Sequence, residues 1–248
     1  MKKVLVLLLA MMMIISLIGC STQTSADPEP GDETGEVVEN KYVDGTYVGF
    51  DNAGEKSYSK AIVTIENDRI VGLELIGLTD MGEVKGEAYP YETFHQAKAA
   101  LTEAFIAANG TEGVDVFTGA TSSYNGWKLA LERALEKALV EPASDNVYFD
   151  GTFHGATELG ERGRKLAWVT IENDTIVDVV VKETRFVDDK EVFKDEEYTF
   201  EIFHEAAEEM PLRFIEANGT DVEIYTGATS SSTGWIEAVE RALENAQR

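Results

Sequence analysis

Apolar residues alternate with polar ones along two neighbouring segments of the chain. Residues 59–65 follow this pattern, and it resumes over residues 69–76 after Asn67 and Asp68. Alternation places the apolar side chains on one face of a strand, and an Asn-Asp pair between two such runs favours a tight turn. The pattern therefore predicts a β-hairpin with one buried face.

Helical spacing replaces the alternation further along the chain. Between residues 93 and 108, one helical face would carry six apolar side chains: Phe94, Ala97, Leu101, Ala104, Phe105 and Ala108. Asn109 and Gly110 then form a stop signal. A second apolar stripe consists of Trp127, Leu131, Ala134, Leu135 and Ala138. We interpret both stripes, the tryptophan included, as faces that pack in a core.

The same order of segments occurs twice. Residues 42–49 resemble residues 148–155, and the six residues 63–68 return unchanged as 169–174. The constant order and nearly fixed offset indicate a tandem duplication, whose copies we call repeat 1 and repeat 2. We predict two small α+β domains, residues 41–141 and 146–248, each with a curved antiparallel sheet packed by helices. Pro211 is predicted to break or kink the first helix of repeat 2.

The N-terminal segment differs from both repeats. Lys2 and Lys3 precede an unbroken apolar run over residues 4–15, and residues 17–20 read Leu-Ile-Gly-Cys. Residues 1–19 are therefore typical of a secretory signal peptide, and the run is short for a transmembrane helix. Leu-Ile-Gly-Cys resembles a lipobox, which implies cleavage and acylation at Cys20; the alternative is an uncleaved anchor helix. Residues 20–40 are polar, acidic and contain Pro and Gly, which predicts a flexible tether.

Charge and cysteine content narrow the possible functions. The chain has 46 acidic and 21 basic residues, a net charge of −25. This balance argues against nucleic acid as a partner and against docking on anionic lipid headgroups. Cys20 is the only cysteine, so a disulfide within the chain is impossible. His95 and His204 occupy matching positions, where packing is the favoured role; we predict no metal site and no Ser-His-Asp hydrolase.

A hydroxyl-rich turn precedes the last helix of each repeat. Residues 118–123 and residues 226–231 both read Thr-Gly-Ala-Thr-Ser-Ser. Small residues bring the backbone close to a ligand, hydroxyls can be esterified, and the first N–H groups of a helix favour an anion such as phosphate. Helix capping is the alternative explanation, but it needs a single Ser, Thr, Asp or Asn and would not maintain Gly-Ala-Thr in both repeats.

The wider pattern Asp-x-x-Ser/Thr-Gly-Ala-Thr-x-Thr/Ser resembles the flavinylation motif of FMN-binding domains. Such domains occur in sodium-translocating NADH:quinone oxidoreductase, in Rnf-type complexes and in bacterial surface lipoproteins. The resemblance implies an FMN phosphoester on Ser123 and on Ser231, installed by an ApbE-like flavin transferase from FAD with magnesium. The family usually has Thr at this position, and repeat 2 has Glu223 where Asp is usual. The further cofactor-binding residues that it implies are Thr118, Gly119, Ala120, Thr121, Thr226, Gly227, Ala228 and Thr229.

The resemblance implies a lipid-anchored redox carrier on the extracytoplasmic face of the cell membrane. Two FMN groups would accept electrons from a membrane donor and pass them to an extracellular or membrane acceptor, with the redox chemistry supplied by the cofactor. Such a protein is an electron-transfer carrier more than a substrate-specific enzyme. Two alternatives stay open: a flavin-free surface-binding or adhesive lipoprotein that retains the fold, and a reductase acting on an external acceptor.

Overall fold

A computed structural model describes residues 40–248 of the chain. The predicted signal peptide and Cys20 lie outside the described residues, as does nearly all of the predicted tether. Repeat 1 comprises β1 (Gly45–Phe50), β2 (Ser57–Glu66), β3 (Arg69–Thr79), α1 (Glu92–Ala108) and α2 (Thr121–Lys137). Repeat 2 comprises β4 (Gly151–Ala156), β5 (Lys165–Glu172), β6 (Thr175–Val187), β7 (Lys190–Phe193), α3 (Glu201–Ala217) and α4 (Thr229–Ala246). The predicted α+β fold with two tandem domains is confirmed.

Both sheets are antiparallel meanders. Their strand orders are β1-β2-β3 and β4-β5-β6-β7. The predicted hairpin is β2-β3, whose turn residues Asn67 and Asp68 have φ values of 51° and 60°. Asn and Asp tolerate this left-handed conformation, and two such residues give the turn that matches strand twist. Asp188 and Asp189 form the same kind of turn before β7, a strand that has no counterpart in the described part of repeat 1.

The helices of each repeat cover one face of its sheet. Trp127 and Trp235 are fully buried, and their indole N–H groups donate to the carbonyl oxygens of Ile76 and Lys182 at 3.1 and 3.0 Å. A buried indole needs such a partner, so both tryptophans are core residues, as the helical stripes predicted. Gly49 brings β1 against α2, because a Cβ atom there would overlap the carbonyl oxygen of Ala130.

Helix α3 continues through Pro211 from Glu201 to Ala217, so the prediction that the proline breaks the helix is wrong. Proline removes one backbone hydrogen bond, but the apolar face of α3 is buried on both sides of it. This face consists of Phe203, Ala206, Met210 and Phe214. Packing of an apolar face supplies most of the stability of a helix within a protein, and here it outweighs the local penalty.

The two repeats belong to one compact unit, and their interface contains buried charged groups as well as aromatic contacts. Arg133 of repeat 1 donates to the carbonyl oxygen of Asp150 at 2.7 Å. Arg164 of repeat 2 donates in the other direction, to the carbonyl oxygen of Met81 at 2.9 Å, and forms an ion pair with Glu83. Both arginines are buried, so these contacts join the repeats through desolvated charged groups. No helix among residues 40–248 is long and apolar enough to span a membrane.

Candidate functional site

The two Thr-Gly-Ala-Thr-Ser-Ser motifs form the turn into the last helix of each repeat. Gly119 and Gly227 have φ values of +84° and +89°, which L side chains rarely adopt, so the turn requires glycine. The N-cap residues are Ala120 and Ala228, which have no side chain able to cap the helix. The hydroxyl residues of the motif therefore do not serve as N-caps, and the capping explanation is wrong.

Motif residues of repeat 1 line a cavity of about 870 Å³, which we call pocket 1. Residues 119–123, Ser122 and Ser123 included, form one wall at the start of α2. The β1-β2 loop and the first residues of β2 form a second wall. Three aromatic residues form a third: Tyr89 and Tyr91 from the segment before α1, and Phe94 from its first turn. Pocket 1 therefore brings the predicted acceptor hydroxyl together with aromatic surface, although Thr118 is not part of its lining.

Repeat 2 has the equivalent cavity, pocket 2, with a volume of about 460 Å³. The motif residues 227–231, Ser230 and Ser231 included, line it. The next hydroxyl along α4 belongs to Ser232, which is fully buried and donates to the carbonyl oxygen of Ala228 at 2.9 Å. Thr229, Ser230 and Ser231 therefore all line pocket 2, and Ser231 is the one at the predicted acceptor position, while Ser232 stabilises the first turn of the helix. Thr226, like Thr118, lies outside the lining.

An acidic group lies in the wall of pocket 1. The side-chain Oδ1 of Asp51 accepts a hydrogen bond from the backbone N–H of Ser59 at 2.6 Å. Burial raises the pKa of Asp51 from 3.8 to about 6, although the Ser59 hydrogen bonds and Arg133 act in the opposite direction. Burial also lowers the pKa of Lys85, which lies 5.2 Å from the ring centre of Tyr89.

The histidines have structural roles in the described residues. The Nε2 atoms of His95 and His204 are 2.7 and 2.6 Å from the carbonyl oxygens of Tyr89 and Tyr198, so each histidine holds the loop that carries the aromatic wall. His154 lies at the interface of the repeats, with Nε2 3.0 Å from the carbonyl oxygen of Asp80. Burial lowers its pKa to about 4. Residues 40–248 contain no cluster of three or more His, Cys, Asp or Glu side chains that could hold a metal ion.

Comparison with known proteins matches both repeats to one family. The family model for the FMN-binding domain matches residues 54–136 and again residues 166–244. The chain belongs to the FMN-binding domain family. FMN is accordingly the cofactor of these domains. No curated protein matches the chain. Among solved structures, the CPE2226 protein from Clostridium perfringens is 22% identical, over 39% of this chain and 88% of its own, with a TM-score of 0.34.

The residues of both pockets fit FMN. A cofactor pocket typically has a volume of about 300–1,000 Å³, and both cavities lie within this range. The free N–H groups at the start of α2 and α4 suit a phosphate dianion, and the positive φ of the motif glycine lets the backbone approach it closely. The aromatic wall, Tyr89 and Phe94 in pocket 1 and Tyr198 and Phe203 in pocket 2, offers apolar surface to a planar ring.

The short motif identified only one wall of each pocket. Asp51, Lys85 and their neighbours come from loops and strand ends that carry no recognisable pattern. Alignment of the two repeats could have provided a signal for part of the other walls. Lys85 and Tyr89 recur as Lys194 and Tyr198, with the same spacing to the following Phe-His pair.

Proposed function

We propose that this protein is a lipid-anchored extracytoplasmic flavoprotein that carries FMN on Ser123 and Ser231 and transfers electrons at the cell surface. The position of the two serines supports the attachment most directly. In both repeats the third residue of the last helix is a serine whose side chain lines the cofactor pocket beside the first N–H groups of that helix.

Attachment consumes FAD. An ApbE-like flavin transferase would join the serine oxygen to the FMN phosphorus of FAD. This bond replaces the pyrophosphate bond to AMP, the serine hydroxyl loses its proton, and AMP leaves. The chain itself supplies the nucleophilic oxygen and a helix N-terminus that stabilises the phosphate charge. Ser231 is only 9% exposed, so access by the transferase requires local opening at the start of α4.

The N-terminal sequence supports the location. The lysines, the apolar run and Leu-Ile-Gly-Cys fit export, cleavage and acylation at Cys20, and residues 20–40 fit a tether between lipid and repeats. A flexible tether gives the repeats a high effective concentration at membrane partners. We propose a membrane electron donor and an extracellular or membrane acceptor. The protein is then a carrier, and substrate specificity belongs to its partners.

Intact-mass spectrometry tests the attachment sites. The mature protein is co-expressed with an ApbE-like transferase, and we expect a mass increase of two FMN adducts. Ser123→Ala and Ser231→Ala should each remove one adduct, and the double variant should remove both. The preceding serines, which are exposed and line the same pockets but stand one position before the acceptor position of the motif, provide matched controls, because Ser122→Ala and Ser230→Ala should leave two adducts. A protein with neither adduct nor yellow colour would contradict the proposal and favour a flavin-free binding lipoprotein.

A further inference from the structure

The two pockets differ at equivalent backbone positions. In repeat 1, Ser59 pairs with Gly77 across β2 and β3. In repeat 2, the pair at the same register is Lys165 and Glu183 across β5 and β6. Both Lys165 and Glu183 line pocket 2, and their side chains occupy space that Ser59 and Gly77 leave open in pocket 1. This replacement contributes to the smaller volume of pocket 2.

A buried ionic cluster results from the replacement. Glu183 Oε1 is 2.6 Å from Lys194 Nζ and 3.5 Å from Lys165 Nζ. The three side chains are only 5–13% exposed, so water screens their charges weakly. Lys194 has a counterpart in Lys85, but the acid and the second lysine have none, and their charges offset each other, so the cluster has the same net charge as Lys85 alone.

Arg185 adds a further positive charge to pocket 2. Its guanidinium lies 5.4 Å from the ring centre of Tyr198, and the equivalent position in repeat 1 is Thr79. The buried Nε of Arg185 has no hydrogen-bond partner among residues 40–248. Because an unpaired buried donor is costly, this side chain is suited to a polar acceptor in the pocket.

The charges that line pocket 1 are balanced. The charged residues in its lining are two acids and two bases: Asp51, Glu55, Lys56 and Lys85. Pocket 2 has four basic residues, Arg162, Lys165, Arg185 and Lys194, against two acidic ones, Glu161 and Glu183. Thr157 replaces Asp51 in repeat 2, and its hydroxyl accepts the equivalent backbone N–H, that of Lys165, at 3.0 Å. The net charge of the residues lining pocket 2 is therefore more positive than that of pocket 1 by two charges, although the two repeats have the same backbone arrangement.

We propose that the FMN of repeat 2 has a higher reduction potential than the FMN of repeat 1, because Arg185, together with Thr157 in place of Asp51, makes pocket 2 the more positive site. Reduction adds electrons to the flavin ring, so nearby fixed positive charge stabilises the reduced form. At equilibrium, the first electrons that enter the pair then reside on repeat 2. This inference rests on the proposed flavin attachment and assigns different roles to the two repeats.

Potentiometric titration of singly loaded proteins tests the inference. Ser231→Ala confines the flavin to repeat 1, and Ser123→Ala confines it to repeat 2; intact mass verifies one adduct in each. Spectra recorded at pH 8 against redox dyes give both potentials, and we expect that of repeat 2 to be higher. Arg185→Thr and Thr157→Asp, which introduce the residues of repeat 1, should each lower the repeat 2 potential, and together they should remove most of the difference.

Charge-conserving variants separate charge from shape. Lys165→Arg and Arg185→Lys should keep the repeat 2 potential near that of its parent, and Asp51→Thr should raise the repeat 1 potential. Glu183 keeps its contact with Lys194 in Lys165→Arg, which limits damage to the fold. Equal or reversed potentials in proteins that carry the adducts would overturn this inference alone. Absence of any adduct would overturn the proposed attachment and this inference together.

Discussion

At the scale of single residues, Asp51 couples pocket 1 to the stability of the fold. Its pKa is about 6 when folded, against 3.8 for a free side chain, so the folded state binds more protons between these pH values. Stability is therefore greatest below about pH 4 with respect to this group, and it falls as pH rises through 6. A pKa shift of this size lowers the free energy of unfolding by about 3 kcal/mol above pH 7 relative to low pH, since one pKa unit is about 1.4 kcal/mol.

We expect Asp51→Asn to stabilise the flavin-free protein at pH 8 by up to about 3 kcal/mol, and to have little effect at pH 4. Asparagine keeps an oxygen that can accept the Ser59 N–H but has no charge to desolvate. Urea unfolding at several pH values measures the difference. Asp145→Asn, at an exposed carboxylate of the segment between the repeats, is the matched control and should show no such trend. A pH-independent difference between Asp51→Asn and its parent would contradict the assigned cause.

At the scale of secondary-structure elements, the contact of β1 with α2 depends on a missing side chain. A methyl group at Gly49 would overlap backbone atoms of Ala130 and Ala134, which cannot rotate away. We expect Gly49→Ala to destabilise the protein by at least about 3 kcal/mol, the upper end for overpacked sites. Gly86→Ala is the control, because a Cβ atom there meets no atom within 4 Å. Similar melting temperatures for the two variants would contradict this packing role.

The helices and strands that could be predicted are those formed by interactions between residues close together in the sequence. The β2-β3 hairpin and both helical stripes of repeat 1 could be predicted because apolar periodicity and the Asn-Asp turn act within a few residues. Of the two effects predicted for Pro211, a break or a kink, the break is wrong because the local rule ignores the buried face formed by Phe203 and Met210. Strand β7 was not predicted, although Asp188 and Asp189 repeat the hairpin-turn signal. Only pairing with β6 gives that four-residue segment its structure.

At the scale of the whole molecule, the site also divides into a part that the sequence predicts and a part that depends on distant contacts. The motif could be identified from the sequence because Ser123 and its neighbours are contiguous, but the walls of the pocket converge from segments far apart in the chain. The interface between the repeats is likewise formed by residues far apart in the sequence. His154 and Arg164 stand where repeat 1 has Val48 and Tyr58, so departures from the repeat mark the residues that join the two copies.

Arg164 provides a test of that interface. It pairs through two hydrogen bonds with Glu191 of its own repeat and reaches Met81 and Glu83 of the other. Arg164→Met leaves the nearly buried Glu191 without its cation, and breaking such a pair costs about 3–5 kcal/mol. Arg241→Met is the matched control, because this half-exposed arginine contacts only its own repeat and should cost about 1 kcal/mol. Thermal unfolding compares the stability of the two variants. An equal loss of stability would show that the repeats unfold independently of the Arg164 contacts. A larger loss for Arg164→Met, with increased protease cleavage within residues 141–145, would show that these contacts hold the two flavin domains together.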